Sequence, residues 1–231
     1  MACAAASDGT AAAVAARFFP DASGAYYASG GRYADALGGG ADAAKRGWPL
    51  LLTAKDSLSP ATPKVGTQRI VLGGPAAVSD MVRDQLAARR VAGKDRFSTA
   101  AATARDAFPG ATVGYLATGL NFPDALAGAP AAARDNGPLL LASKDCVTVA
   151  TRYTFTDLGI TSRVILGGTG AVTDRAANLT VWSPEQCDLT TASSTALKTA
   201  VGRCPGDGGV LRALPGSSGA ISGMSGCFKM G

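Results

Sequence analysis

Histidine is absent from all 231 residues. Its absence removes imidazole as general base, proton shuttle or metal ligand, and with it the Ser-His-Asp and Cys-His modes of catalysis. The five cysteines, Cys3, Cys146, Cys187, Cys204 and Cys227, form no Cys-x-x-Cys pair, so no structural zinc site is expected and no metal is assigned. Cys187, Cys204 and Cys227 either bridge in pairs, if this part of the chain is oxidised, or remain thiols. Aromatic residues make up only 6% of the chain and the basic residues are scattered. A nucleic-acid-binding surface usually clusters Arg and Lys beside exposed rings, so no nucleic acid partner is expected. No window reaches the ~18 uninterrupted apolar residues of a membrane helix, so membrane insertion is not expected either. The opening MACAAASDGT has neither the basic start nor the apolar stretch of a secretory signal.

What the chain does have is 47% hydrophobic residues, enough for a substantial core, and a formal net charge of +5. A pI near 9.1 favours an anionic polymer or surface as partner without naming one.

Its strongest signal is an internal repeat. Thr10 falls on Thr99, Pro20 on Pro109, Gly30 on Gly119, Asp35 on Asp124, Pro49 on Pro138 and Asp56 on Asp145, each pair 89 positions apart. RIVLGGPAAVSD (Arg69 to Asp80) then matches RVILGGTGAVTD (Arg163 to Asp174) at a spacing of 94. The second copy therefore carries five more residues, and they must lie between Asp145 and Arg163. Copy one is expected at about 5–85 and copy two at about 90–180, followed by a Gly-, Pro-, Ser- and Cys-rich tail at 183–231, expected to be irregular.

Each copy opens on an Ala-rich helical stretch that ends at a proline. Short apolar runs follow (AYYAS or VGYLAT, then PLLL, then RIVLGG or RVILGG), alternating with helical segments. That alternation predicts an α/β fold: tandem Rossmann-like or flavodoxin-like modules, each with a short parallel sheet of three strands flanked by helices.

In such sheets ligands gather beyond the carboxyl ends of the strands. The candidates placed there are Ser29 and Thr118, Arg32 and Asn121, Asp35 and Asp124, and Lys55 and Lys144, the lysines each followed by an Asp. Each has a plainer reading. Asn121, Pro123 and Asp124 fit a helix start, with Asn121 as cap, and the Lys-Asp pairs fit solvated loops. The Gly-Gly turns lack both the Gly-x-Gly-x-x-Gly and the P-loop pattern, so they are read as turns and no cofactor is expected.

The stretch YLATGLNFPDALAGAPAAARDNGPLLLASKD, followed by LGITSRVILGGTGAVTD, closely resembles the cell wall-binding repeat family, type 2, of surface and secreted proteins of Gram-positive bacteria. RVAGKDRFSTAAATA (Arg90 to Ala104) is similar to the segment that opens each unit of that family. The resemblance spans Thr10 to Leu179. It implies tandem α/β units, usually three around a pseudo-threefold axis, that attach their host protein non-covalently to anionic wall polysaccharide outside the cell. This chain has two units, and its opening lacks the Arg-x-Ala-Gly and Asp-Arg elements found at Arg90 to Arg96. The resemblance therefore leaves room for self-association in place of a third unit. Two other classes of function stay open: a Rossmann-like transferase or hydrolase using a carboxylate such as Asp124, and a structural domain without its own ligand.

Overall fold

The Ala-rich openings are helices α1 (Cys3–Phe18) and α4 (Arg96–Ala107), each stopping just short of its proline. Between them come β1 (Gly24–Ser29), α2 (Ala34–Arg46), β2 (Leu50–Thr53), β3 (Gln68–Leu72), α3 (Asp80–Leu86) and β4 (Arg89–Val91). After α4 follow β5 (Val113–Thr118), α5 (Pro123–Arg134), β6 (Leu139–Ala142), α6 (Val149–Asp157), β7 (Ser162–Ile165) and α7 (Asp174–Ala177), the order of the first repeat with one helix, α6, added between the second and third strands. These elements belong to a computed structural model that describes residues 3–181. The tail expected at 183–231, with Cys187, Cys204 and Cys227, lies outside the described residues.

Both sheets are parallel throughout. Their orders are β2-β1-β3-β4 and β6-β5-β7, and the registers correspond: Tyr26 faces Leu50 as Tyr115 faces Leu139. The fourth strand of the first sheet departs from the three expected. Arg89–Val91 carries no apolar run, yet its backbone pairs with β3 from Ile70 to Leu72.

The five extra residues fall between β6 and β7, where they allow α6 to form. Thr148 caps that helix by accepting from the Thr151 N–H at 3.2 Å, and Phe155 enters the core with Val147 and Leu116. The shorter segment of the first repeat, 54–67, contains Pro60 and Pro63 and no helix, in keeping with the lost donor and fixed φ of proline. There the Tyr27 hydroxyl does the holding, donating to Pro63 O at 2.9 Å and accepting from Val65 N at 3.0 Å.

The repeats join through α2, which packs on α4, α5 and β6. Its three consecutive glycines face three different neighbours. A Cβ on Gly38 would lie 2.8 Å from the Ala100 Cβ of α4, one on Gly39 would overlap Leu72 of its own sheet, and one on Gly40 would lie 3.3 Å from the Ala129 Cβ of α5. Leu37 and Ala41 complete this face and are buried in the core of the second repeat with Phe97, Ala100 and Ala107. Gly40 and Ala129 occupy equivalent positions in the two copies. Equivalent positions can touch only near the axis that rotates one copy onto the other, so that axis runs beside α2 and α5.

Candidate functional site

With β2 and β3 on opposite sides of β1, and β6 and β7 on opposite sides of β5, each sheet reverses its winding direction beside its first strand, and the carboxyl ends there are the usual ligand position in open α/β sheets. The two repeated motifs meet at this end of the sheet. Gly73, the first glycine of the turn after β3, has φ 91°, and a Cβ there would overlap the Asp35 carboxylate. In the second repeat Gly167 has φ 94°, and a Cβ would lie 2.5 Å from Asp124 Oδ2. The first glycine thus serves two needs, a left-handed turn and room for the aspartate of Asp-Ala-Leu.

Asp35 sits in the first turn of α2, half-buried at the junction between repeats. Burial pushes its carboxyl up from the usual carboxylate range. The Thr99 hydroxyl, which hydrogen-bonds to it, and the guanidinium groups of Arg96 and Arg32 work in the opposite direction. Arg96 is itself held within the second repeat, donating to Gly119 O at 2.6 Å. α4 begins on a reciprocal cap in which the Asp95 carboxylate accepts from Ser98 N at 2.7 Å and Asp95 N donates to the Ser98 hydroxyl at 3.0 Å. The second repeat thereby presents an ordered helix start to the aspartate of the first.

Of the remaining candidates, Ser29 and Thr118 are buried at the ends of β1 and β5. Thr118 Oγ1 accepts from Leu120 N at 3.2 Å, a turn-stabilising contact. Arg32, Asn121, Lys55 and Lys144 are exposed. Lys55 is 3.8 Å from its neighbour Asp56, both side chains largely in solvent. The two lysines stand on different sheets, and their carbonyls do equivalent work: Lys55 O accepts from Ser79 N at 2.8 Å and Lys144 O from Thr173 N at 2.9 Å. These bonds tie each loop to the start of the following helix.

Asn121 is not the cap of α5. The cap position is Phe122, with no side-chain hydrogen bond, and Asn121 Oδ1 accepts instead from Phe122 N at 2.9 Å. Two residues beyond Asn121 stands Pro123, which has no N–H to offer, so the side chain turns to its neighbour. Cys146, outside the group considered for pairing, is buried and disulfide-bonded.

Sequence reasoning overlooked the aromatic residues two positions before each aspartate. Tyr33 and Phe122 occupy equivalent positions and touch across the seam, ring centroids 5.4 Å apart at 65°. The Tyr33 hydroxyl reaches Leu120 O at 3.4 Å. Their recurrence at a spacing of 89 was the available signal.

Among the described residues no group of His, Cys, Asp and Glu could hold a metal ion, and no helix is long and apolar enough to cross a membrane.

The family model for cell wall binding domain 2 (CWB2) matches residues 8–83 and 90–177. The chain is 32% identical over 180 residues to N-acetylmuramoyl-L-alanine amidase LytC of Bacillus subtilis (strain 168), covering 74% of this chain and 36% of that protein. It is 28% identical over 151 residues to the amidase enhancer of the same organism, covering 63% of this chain and 21% of the relative. It therefore spans about a third of the first relative and a fifth of the second. Cwp8 from Clostridium difficile is similar in structure with a TM-score of 0.64 at 26% identity, over 72% of this chain and 30% of that one. Cwp6 from Clostridium difficile shares the fold with a TM-score of 0.65 at 21% identity, over 76% and 31%. Two parallel α/β repeats joined through α2, each matched in turn by the same family model, make this chain a member of the cell wall binding domain 2 family.

Proposed function

We propose that the chain is a non-catalytic anchor that holds a surface or secreted protein on anionic polysaccharide of a Gram-positive cell wall, outside the cell. The observation that carries this reading is the duplication of the whole family unit, down to equivalent sheet-edge loops. One weak contact per unit becomes useful when linked units meet a repeating polymer, because the second contact forms at high effective concentration. The exposed cations Arg32, Lys55 and Lys144, with Asn121, are the proposed polymer contacts. Ser29, Thr118, Asp35 and Asp124 shape the edge from beneath. The basic balance of the chain suits a polyanion.

The amidase name belongs to a relative of which this chain covers 36%, and it is not carried over. Support for a non-catalytic role comes from the carboxylates themselves: Asp35 and Asp124 are packed on the glycine turns at equivalent places, an arrangement that duplicates like structure. The proposed protein partner is a further copy of the unit, since the face of α5 equivalent to the buried face of α2 is exposed, Leu126 standing where Leu37 is buried.

The test combines retention and release. Purified walls are incubated with the chain, and both sedimented protein and soluble sugar or peptide fragments are measured. Retention without fragment release is expected. Fragment release that is abolished by Asp124→Asn would establish the enzyme reading instead.

A further inference from the structure

We propose that the seam at Tyr33 and Phe122, flanked by Arg32, is a stacking subsite that seats one anionic sugar residue of a wall polymer. The proposal rests on the wall-polymer reading above and adds to it a location and a recognition chemistry.

Three observations converge here. First, the rings are available. In a chain with only 14 aromatics, 7 Phe, 5 Tyr and 2 Trp, Tyr33 and Phe122 are each 45% exposed, with Leu120 beside them at 46%; Phe18 and Tyr153 are more exposed but belong to no ring pair among the described residues, and Tyr26, Tyr27, Phe97, Phe108, Tyr115 and Phe155 are buried. Second, the site is shared. Because the two positions are equivalent and in contact, they lie near the axis relating the repeats, so the chain has one composite platform built from both copies. The edge-to-face contact and the reach of the Tyr33 hydroxyl to Leu120 O restrain the rings. Such side chains have few torsions to freeze and lose little entropy on binding.

Third, the charge is placed for an anion. Arg32 directly precedes Tyr33, is exposed and makes no ion pair among the described residues. Its charge acts on the half-buried Asp35, which also feels Arg96 and the Thr99 hydroxyl. A pyranose has an apolar face of C–H groups and a polar rim. The face suits an aromatic ring, which offers a large apolar surface with a negative centre. A carboxylate or phosphate on the rim suits a guanidinium, which can donate two parallel hydrogen bonds. The combination selects a charged glycan over a bare polyanion.

The experiment uses the full chain with isolated Bacillus subtilis walls, and with soluble polygalacturonate and polyphosphate as competitors. The double replacement Tyr33→Ala with Phe122→Ala should weaken wall binding roughly tenfold, the scale of one or two lost ring contacts, and should lower the melting temperature slightly, since a contact between half-covered rings is lost, while leaving the chain folded. Tyr33→Phe and Phe122→Tyr should each remain within about twofold of the parent. Polygalacturonate should displace the parent from walls better than polyphosphate of equal charge, and the double variant should lose that preference. Arg32→Gln should weaken displacement by both. If the parent binds walls and the double variant binds equally well, the subsite is refuted while the wall reading stands. If the double variant instead changes the oligomeric mass and leaves wall binding intact, the rings are a protein contact and the proposal is wrong. If the parent binds no wall preparation, the underlying reading fails and takes this proposal with it.

Discussion

Leu37 and Leu126 are the same residue of the same motif, and the fold treats them in opposite ways. Leu37, on α2, is 2% exposed and belongs to the core of the other repeat, whereas Leu126, on α5, is 56% exposed. The difference extends along both helices. Gly38 meets Ala100 while its counterpart Ala127 is exposed, and buried Ala41 has exposed Pro130 as its counterpart. Gly39 and Gly128, by contrast, are alike in sequence and surroundings, each pressed on a leucine of its own repeat, Leu72 at the end of β3 and Leu166 just after β7. Contacts within a repeat have therefore kept their residues, and contacts between repeats have let them change. One face of the Asp-Ala-Leu helix is a docking surface, used at α2 and open at α5.

The largest effect should come from emptying that docked face. Leu37→Ala should lower unfolding free energy by about 2–5 kcal/mol, the range for truncating a buried leucine, and Leu126→Ala by less than about 0.5 kcal/mol, as at an ordinary surface position. Denaturant melts of the two variants decide this, and equal losses would mean that α5 is covered.

A smaller effect is expected from exchanging the glycine pattern. Gly38→Ala improves helix propensity by up to about 1 kcal/mol, yet its Cβ meets Ala100 across the seam. A net loss of about 1–3 kcal/mol is expected, the usual cost of overpacking. At the open face the reverse change, Ala127→Gly, should cost only about 0.5–1 kcal/mol through backbone entropy. Thermal unfolding of both variants measures the contrast.

The smallest effect, and the one of opposite sign, concerns a residue present in the first repeat alone. Asp42 is fully buried with neither carboxylate oxygen hydrogen-bonded, and Ala131 stands at the equivalent place. Burial drives its carboxyl well above the usual carboxylate range. Arg46 and Lys45 oppose that shift and Asp106 reinforces it. Because the folded pKa is raised, the contribution of Asp42 to stability is full below its unfolded value of about 3.9 and is lost as pH rises through the folded value. Asp42→Ala should accordingly stabilise the protein near neutral pH by about 1–2 kcal/mol, the cost of an unsatisfied buried group, and flatten the decline between acid and neutral pH. Melting temperatures measured across that range should fall with pH more steeply in the parent than in the variant, and parallel profiles would contradict this account of Asp42.

Much of the framework could be read from the chain because duplication doubled every signal. The order of helices and strands and the site of the five-residue difference follow from matched motifs. So does the turn at Gly73 and Gly167. Features made by tertiary contact were harder to see. β4 is recruited by backbone pairing that Arg-Arg-Val does not announce. Asn121 fails as a cap because of where Pro123 falls. The meeting of Asp35 with Gly73 joins residues 38 positions apart, and no local pattern brings them together. Reading Asp-Ala-Leu as one motif concealed that its two leucines live in different environments, and attention to its aspartates passed over Tyr33 and Phe122.

Attachment to an anionic wall polymer is tested most directly by equilibrium cosedimentation of the purified chain with two preparations of the same wall, one intact and one stripped of its anionic polymer, across a range of salt. Exposed charges are screened beyond about 8 Å at physiological ionic strength, so binding to intact walls should fall steadily as salt rises. Stripped walls should retain little protein at any salt. Replacing Lys55 and Lys144 together should flatten the salt dependence more than either change alone. Equal retention on both preparations, indifferent to salt, would contradict the polyanion as ligand.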